Sequence, residues 1–180
     1  MDDITKCIDL MRKQRHDFMN DFQIIYGYLQ INDVDRAVNY LEKLSKENIV
    51  ISSIYALGDN YFGFCFEQNI KSIIQKEYSV EANVEIEKFY KKFFEKDYIK
   101  KNNLVKNIFS SFENNSVKYI YIYIFEDKLG QSFLISNNES LIDELNWMEN
   151  WDSMDVGIEE LKLHKCSYEN NLGYRVTFLL

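Results

Sequence analysis

Arg15-His16-Asp17-Phe18-Met19-Asn20-Asp21-Phe22-Gln23-Ile24-Ile25-Tyr26-Gly27-Tyr28-Leu29 is the stretch whose periodicity decides the fold. Extended toward the N-terminus, its apolar positions read Ile4, Ile8, Met11, then Phe18, Phe22, Ile25 and Leu29, at spacings of 4, 3, 7, 4, 3 and 4. That is a heptad seam broken once, at Arg15. The spacing predicts one helix over Asp3–Leu29, about 40 Å long at the α-helical rise. His16 sits one step off the seam, so its imidazole projects from the helix flank into water.

Gly27 and the pair Asn32-Asp33 mark a turn, with Asn32 or Asp33 capping a second helix. There Val34, Ala37, Leu41 and Leu44 form a second apolar seam to about Glu47. A two-helix hairpin leaves half of each seam wet. Pairing two hairpins into a dimeric four-helix bundle is the simplest remedy, the alternative being that the first helix packs on its own C-terminal domain.

Around His16 the residue types suit phosphoryl chemistry. A neutral imidazole offers a nitrogen lone pair to an electrophile such as phosphorus. Asp17 is placed to hold the other ring proton, Arg15 to bind phosphate oxygens through its planar fork, and Asn20 lies one turn on at i+4. Taken singly, each is also an ordinary solvated helix residue, and only the combination points to a site.

Composition restricts the function classes. The 180 residues are 46% hydrophobic, enough for a sizeable core. No run approaches the ~18 apolar residues of a membrane helix, and Met-Asp-Asp-Ile-Thr-Lys at the start lacks signal-peptide character, which leads to the expectation of a cytoplasmic protein. Cys7, Cys65 and Cys166 are odd in number and far apart, so reduced thiols are expected. A net charge of −8 disfavours nucleic acid and anionic membrane as partners.

Ile49 to Gly58 breaks the pattern and is read as the junction, giving a helical hairpin over 1–52 and an α/β sandwich over 53–180. The second part reads helix (Asp59–Tyr78), strand (Ala82–Glu87), helix (Asp97–Phe112), strands (Val117–Phe125 and Gln131–Ser136), helix (Ser140–Asn150) and strands (Val156–His164 and Tyr174–Leu180). Alternation at Val84-Ile86 and Tyr119-Tyr121-Tyr123-Phe125 supports strands with one buried face covered by helices. The fold class is therefore α+β. His164 reads as a surface or edge-strand residue, since one His-x-Cys pair with Cys166 is too few ligands for zinc. Lys100-Lys101 reads as solvated surface, and Trp147 and Trp151 as core or interface filler.

The run Arg15 to Leu29 resembles the phosphoacceptor helix of the sporulation initiation phosphotransferase B family, and more broadly of sensor histidine kinases with that type of dimerisation helix. The matching positions are Arg15, His16, Asp17, Asn20, Gln23, Ile25, Gly27 and Leu29. The resemblance implies a homodimer in which His16 takes a phosphoryl group from the aspartyl phosphate of one response-regulator receiver domain and passes it to another. It assigns Arg15, Asp17 and Asn20 to the site, leaves Mg2+ to the receiver, and requires no cofactor on this chain. Asp17 and Asp21 are then helix-surface carboxylates.

The second part resembles the kinases' ATP-binding domain, with a difference. Asn103-Leu104-Val105-Lys106-Asn107-Ile108 is similar to their asparagine box, in which Asn107 would hold magnesium. The glycine boxes are missing: glycines 27, 58, 63, 130, 157 and 173 form no Gly-x-Gly pair, and Ser136-Asn137-Asn138-Glu139-Ser140 stands where one would follow a central strand. A backbone without those glycines cannot approach a triphosphate closely, so no ATP use is expected. The other readings are a divergent kinase that uses ATP and a non-catalytic module that binds receivers.

Overall fold

The interrupted heptad forms helix α1, Asp3–Gln30. Residues 3–113, 115–145 and 151–179 are described by the computed structural model, and the chain forms two compact units, 1–48 and 49–180. α1 ends where Asp33 N–H bonds Tyr28 O (2.9 Å), and Asn32 takes the left-handed conformation (φ 57°) that an Asn tolerates. Asp33, rather than Asn32, supplies the cap: its Oδ1 accepts from Arg36 N–H at 3.2 Å. Helix α2, Val34–Ala56, returns alongside. The two helices are stapled by Tyr40 Oη donating to Asp21 at 2.7 Å, with Ala37 buried. Burial and then Asp21 push the Tyr40 phenol up to about 12, so this staple persists across the physiological range.

The break expected between Ile49 and Gly58 does not occur. Val50 and Ile54, one turn apart, continue α2 and bury with Leu57 in the core of the second unit; the helix stops only before Gly58 (φ 84°). The run Ile49-Val50-Ile51 hid the helical period because its β-branched residues favour strand when read locally.

Helix α3, Asn60–Ile74, buries Phe62, Cys65, Phe66, Ile70 and Ile73. Asp59, fully buried, caps it: Oδ1 accepts from Tyr61 N–H and Phe62 N–H, both at 3.1 Å, and Oδ2 accepts from Phe94 N–H at 2.7 Å. Gly63 is required by close packing. A Cβ there would lie 2.5 Å from the Tyr55 ring, whose hydroxyl donates to Glu67 at 2.7 Å. Gly63→Ala is expected to cost about 1–3 kcal/mol in a denaturant titration, as overpacking does; an unchanged midpoint would refute this reading of the contact.

The sheet has six strands in the order β1-β2-β3-β6-β5-β4. β1 (Ser79–Val84) pairs parallel with β2 (Tyr119–Asp127) through helix α4 (Tyr98–Ser111). β3 (Gly130–Ser136), β6 (Asn171–Phe178), β5 (Leu161–Tyr168) and the short β4 (Asp152–Met154) complete it with antiparallel pairing. A four-residue helix α5, Leu141–Glu144, follows β3; the remainder of the helix expected to Asn150, and Trp147, lie outside the described residues.

Several strands differ from those read in sequence. β1 starts at Ser79, not Ala82, because Glu77 (φ 66°) turns the chain directly after α3 and Ser79 N–H reaches Lys118 O. β4 was hidden by its shortness. β5 begins at Leu161, not Val156, because Asp155 Oδ1 accepts from Gly157 N–H in a turn that sends Ile158 into the core.

β2 is buried on both faces. Ile120, Ile122 and Ile124 face the helices and join Phe62, Phe66, Phe133 and Phe178. Tyr121, Tyr123 and Phe125 face the other way, under Leu141, Leu145 and Trp151. This second layer overturns the expectation of one buried face, and it also corrects His164. That residue lies on an interior strand and is only 9% exposed.

Its Nδ1 is buried without a hydrogen-bond partner among the described residues. Burial, Lys162 and Arg175 hold the His164 pKa below the usual value. The neutral ring therefore contributes stability that is complete above the unfolded pKa near ~6.5 and is lost as pH falls through the lower folded value. Chemical denaturation at pH 7 and pH 5 should show the loss, and His164→Gln should flatten it.

Lys101 is likewise corrected from surface to core: its side chain is fully buried, with Nζ donating to Phe93 O and to Glu160 at 2.7 Å. Position, not residue type, decides this, since α4 turns Lys101 inward together with Val105 and Ile108. Arg175 is also fully buried and donates to Asp127 (2.8 Å), Ser132 (3.0 Å) and Thr177 (3.0 Å). Cys65 and Cys166 are buried.

Candidate functional site

α1 carries His16 outward, with 74% of its side chain exposed, as the off-seam position requires. Asn20 Nδ2 lies 3.2 Å from His16 Nδ1, and Asp17 Oδ1 lies 3.6 Å from the same nitrogen. The i, i+4 and i, i+1 spacings of one helix suffice to make both contacts. With both groups on Nδ1, Nε2 is the outward nitrogen, and it carries no hydrogen bond among the described residues.

Two proton arrangements fit these positions. When Nδ1 is unprotonated, the Asn20 amide donates to it and Nε2 keeps the hydrogen. When Nδ1–H forms, the rotated Asn20 carbonyl accepts from it, with the Asp17 carboxylate 3.6 Å away, and the Nε2 lone pair is exposed for attack. Asp17 favours the second arrangement electrostatically.

Arg15, Asp17 and Asn20 are all exposed. Asp17 and Asn20 meet the imidazole, whereas Arg15 projects from the adjacent flank. Asp21 does not join them, because it is held by Tyr40 on the opposite helix. Among the described residues, no group of three or more His, Cys, Asp or Glu side chains converges as a metal site would need, and no helix is long and apolar enough to cross a membrane.

The hairpin leaves its apolar seam open. In the first helix Ile4 is 67% exposed, Met11 65%, Phe18 58% and Phe22 54%; in the second, Val34 is 56% and Leu41 48%. Phe18 and Phe22 meet as a tilted ring pair with centroids 4.7 Å apart. The seam is thus continuous with the helix that presents His16.

In the second unit, the end of β3 is closed by side chains that sequence reading left unassigned. Asn137 Nδ2 donates to Asn170 O (2.7 Å) and its Oδ1 accepts from Leu172 N–H (2.8 Å). Asn138 Nδ2 donates to Asn171 Oδ1 (2.9 Å). The segment is latched to the β5–β6 turn. Asn107 lies on the exposed face of α4. The partner of Asn137 lies 33 residues away, so no local signal in the sequence points to the latch.

Residues 1–57 match the family model for the SpoOB-type sensor-kinase alpha-helical domain. Motif and family model agree over this stretch, so the N-terminal helices are similar to that SpoOB-type, sensor-kinase helical domain. No curated protein matches the chain. Among solved structures, the chain is similar to the Acinetobacter baumannii histidine kinase AdeS at 13% identity, covering 91% of this chain and 97% of that one, with a TM-score of 0.43.

Proposed function

We propose that this chain is a histidine phosphotransferase of a sporulation-type phosphorelay, in which His16 accepts a phosphoryl group from the aspartyl phosphate of one receiver domain and donates it to the aspartate of another. The observation that carries the reading is the exposed imidazole with Asn20 and Asp17 on one nitrogen and the other facing outward. In the forward step the Nε2 lone pair forms the N–P bond and the P–O bond to the receiver's carboxylate breaks, regenerating that carboxylate. The reverse sequence phosphorylates the second receiver. Catalysis is positioning plus charge neutralisation, with Mg2+ supplied by the receiver and Arg15 beside the transferred oxygens.

Two features support this over a kinase that uses ATP. The β3 end is occupied by the Asn137–Asn138 latch where a glycine box would need mobile backbone, and Asn107 lies on the exposed face of α4. The partner of the hairpin is a second copy of the chain. Its open seam repeats with heptad spacing, and burying it as a four-helix bundle leaves the His16 flank outside for a receiver.

The test is to offer a purified receiver carrying labelled aspartyl phosphate and to look for acid-labile, base-stable label on this chain. Transfer without nucleotide supports the relay. Labelling only with ATP would replace it with a kinase, and binding without label would leave a docking module. Asn20→Ala is expected to slow transfer about tenfold through loss of ring orientation, with an unchanged melting temperature because the side chain is exposed. An undiminished rate would remove Asn20 from the site.

A further inference from the structure

The sheet is open along β1. In its parallel ladder with β2, Ser79 N–H bonds Lys118 O and Glu85 N–H bonds Ile124 O. Alternation then aims the N–H and C=O groups of Val80, Ala82 and Val84 away from the sheet. Among the described residues none of these groups has a hydrogen-bond partner, and β1 ends the strand order. The opposite edge, β4, has only three residues.

Natural edges are blunted by proline, lysine, bulges or brevity. β1 has none of these: it is six residues long, unbulged against β2, and free of Pro and Lys. Its two faces differ in chemistry. Val80, Ala82, Val84 and then Ile86 are half-buried and pack against the main core, so a strand laid alongside would extend that apolar face. Glu81 and, just past the strand, Glu85 stand exposed on the other face, where Tyr119 Oη donates to Glu81 at 3.1 Å. Beyond the strand end, Glu85, Glu87 and Glu126, against a single Lys88, line an open groove of about 690 Å³ with Tyr90 and Gln131.

We propose that β1 is a docking edge for an extended segment of another protein in which basic and apolar residues alternate, the backbone pairing with Val80, Ala82 and Val84 while Lys or Arg side chains meet Glu81 and Glu85. Such strand addition takes affinity from main-chain hydrogen bonds and selectivity from alternate side chains. Charge selects this occupant over a second copy of the chain. Two β1 strands side by side would gather Glu81 and Glu85 of both copies on one face, and like charges across strands destabilise a pair. The net charge of −8 acts in the same direction. The proposal does not depend on the chemistry of His16.

The test uses the full chain and an acetylated eight-residue peptide of alternating Lys and Val, followed by fluorescence anisotropy and by amide hydrogen exchange. Binding is expected to slow exchange at Val80, Ala82 and Val84 by at least about tenfold. The same peptide methylated on alternate backbone nitrogens, and a Glu-Val counterpart, should bind at least about tenfold more weakly. Ala82→Pro removes an outward N–H. The pair Glu81→Lys and Glu85→Lys, which leaves the backbone intact, should reverse the preference between the Lys and Glu peptides. Equal binding of both peptides, binding that leaves those three amides unprotected, or no binding would each overturn the proposal.

Discussion

His16→Gln is expected to reduce phosphoryl label on the chain to background when a phosphorylated receiver is offered, while the fold stays intact. Glutamine is polar, similar in reach and a good helix former, and position 16 is mostly exposed, so no burial or helix propensity is lost. What disappears is a nitrogen lone pair free to attack phosphorus, since an amide nitrogen shares its pair with the carbonyl. The circular dichroism spectrum and melting curve should superimpose on those of the parent. Label retained at the parent stoichiometry would show that another residue accepts the group, and the relay through His16 would fall.

The second large effect is structural. Asp59→Ala should destabilise the second unit by about 3–5 kcal/mol, combining the loss of an N-cap with a buried Phe94 N–H left unsatisfied. Asp59 accepts from two backbone N–H groups at the start of α3 and from Phe94 N–H in the irregular segment before α4, without exposure to water. A loss of that size is a large share of ordinary domain stability. Asp59→Asn distinguishes the two contributions: its oxygen can still cap α3, but its amide would then face the Phe94 N–H, donor against donor. Urea titration should place Asn between the parent and Ala, and an Ala midpoint within error of the parent would show that water replaces the carboxylate.

The geometry of the N-terminal candidate site was legible because it is local. His16, Asp17 and Asn20 are brought together by helix geometry alone, and a heptad count places them on the flank without knowledge of any other element. The same count found the seam of α1 and the turn at Asn32-Asp33. It failed at Ile49–Ala56, where a β-branched run suggested a break and burial of Val50 and Ile54 maintained a helix.

In the second unit the errors share one cause. His164 and Lys101 were read as surface from their polarity and alternation, yet both are buried, because what covers each comes from distant chain. Glu160 neutralises Lys101 across 59 residues, and Leu141, Leu145 and Trp151 build a second layer over the face on which the β2 tyrosines lie. The fully buried Arg175 is held by Asp127, 48 residues away.

By itself, then, the sequence determined the helical hairpin, the outward histidine with its two ring-facing neighbours, and the alternation that makes β2 and β3. Periodicity encodes these within a few turns or residues. Only the tertiary structure decided which polar groups are buried, that the sheet carries apolar layers on both faces, that an Asn latch closes the end of β3, and that β1 is left as an open edge. Each of these depends on which distant segments meet, and a charged or imidazole side chain enters a core only when such a segment supplies its partner or its cover.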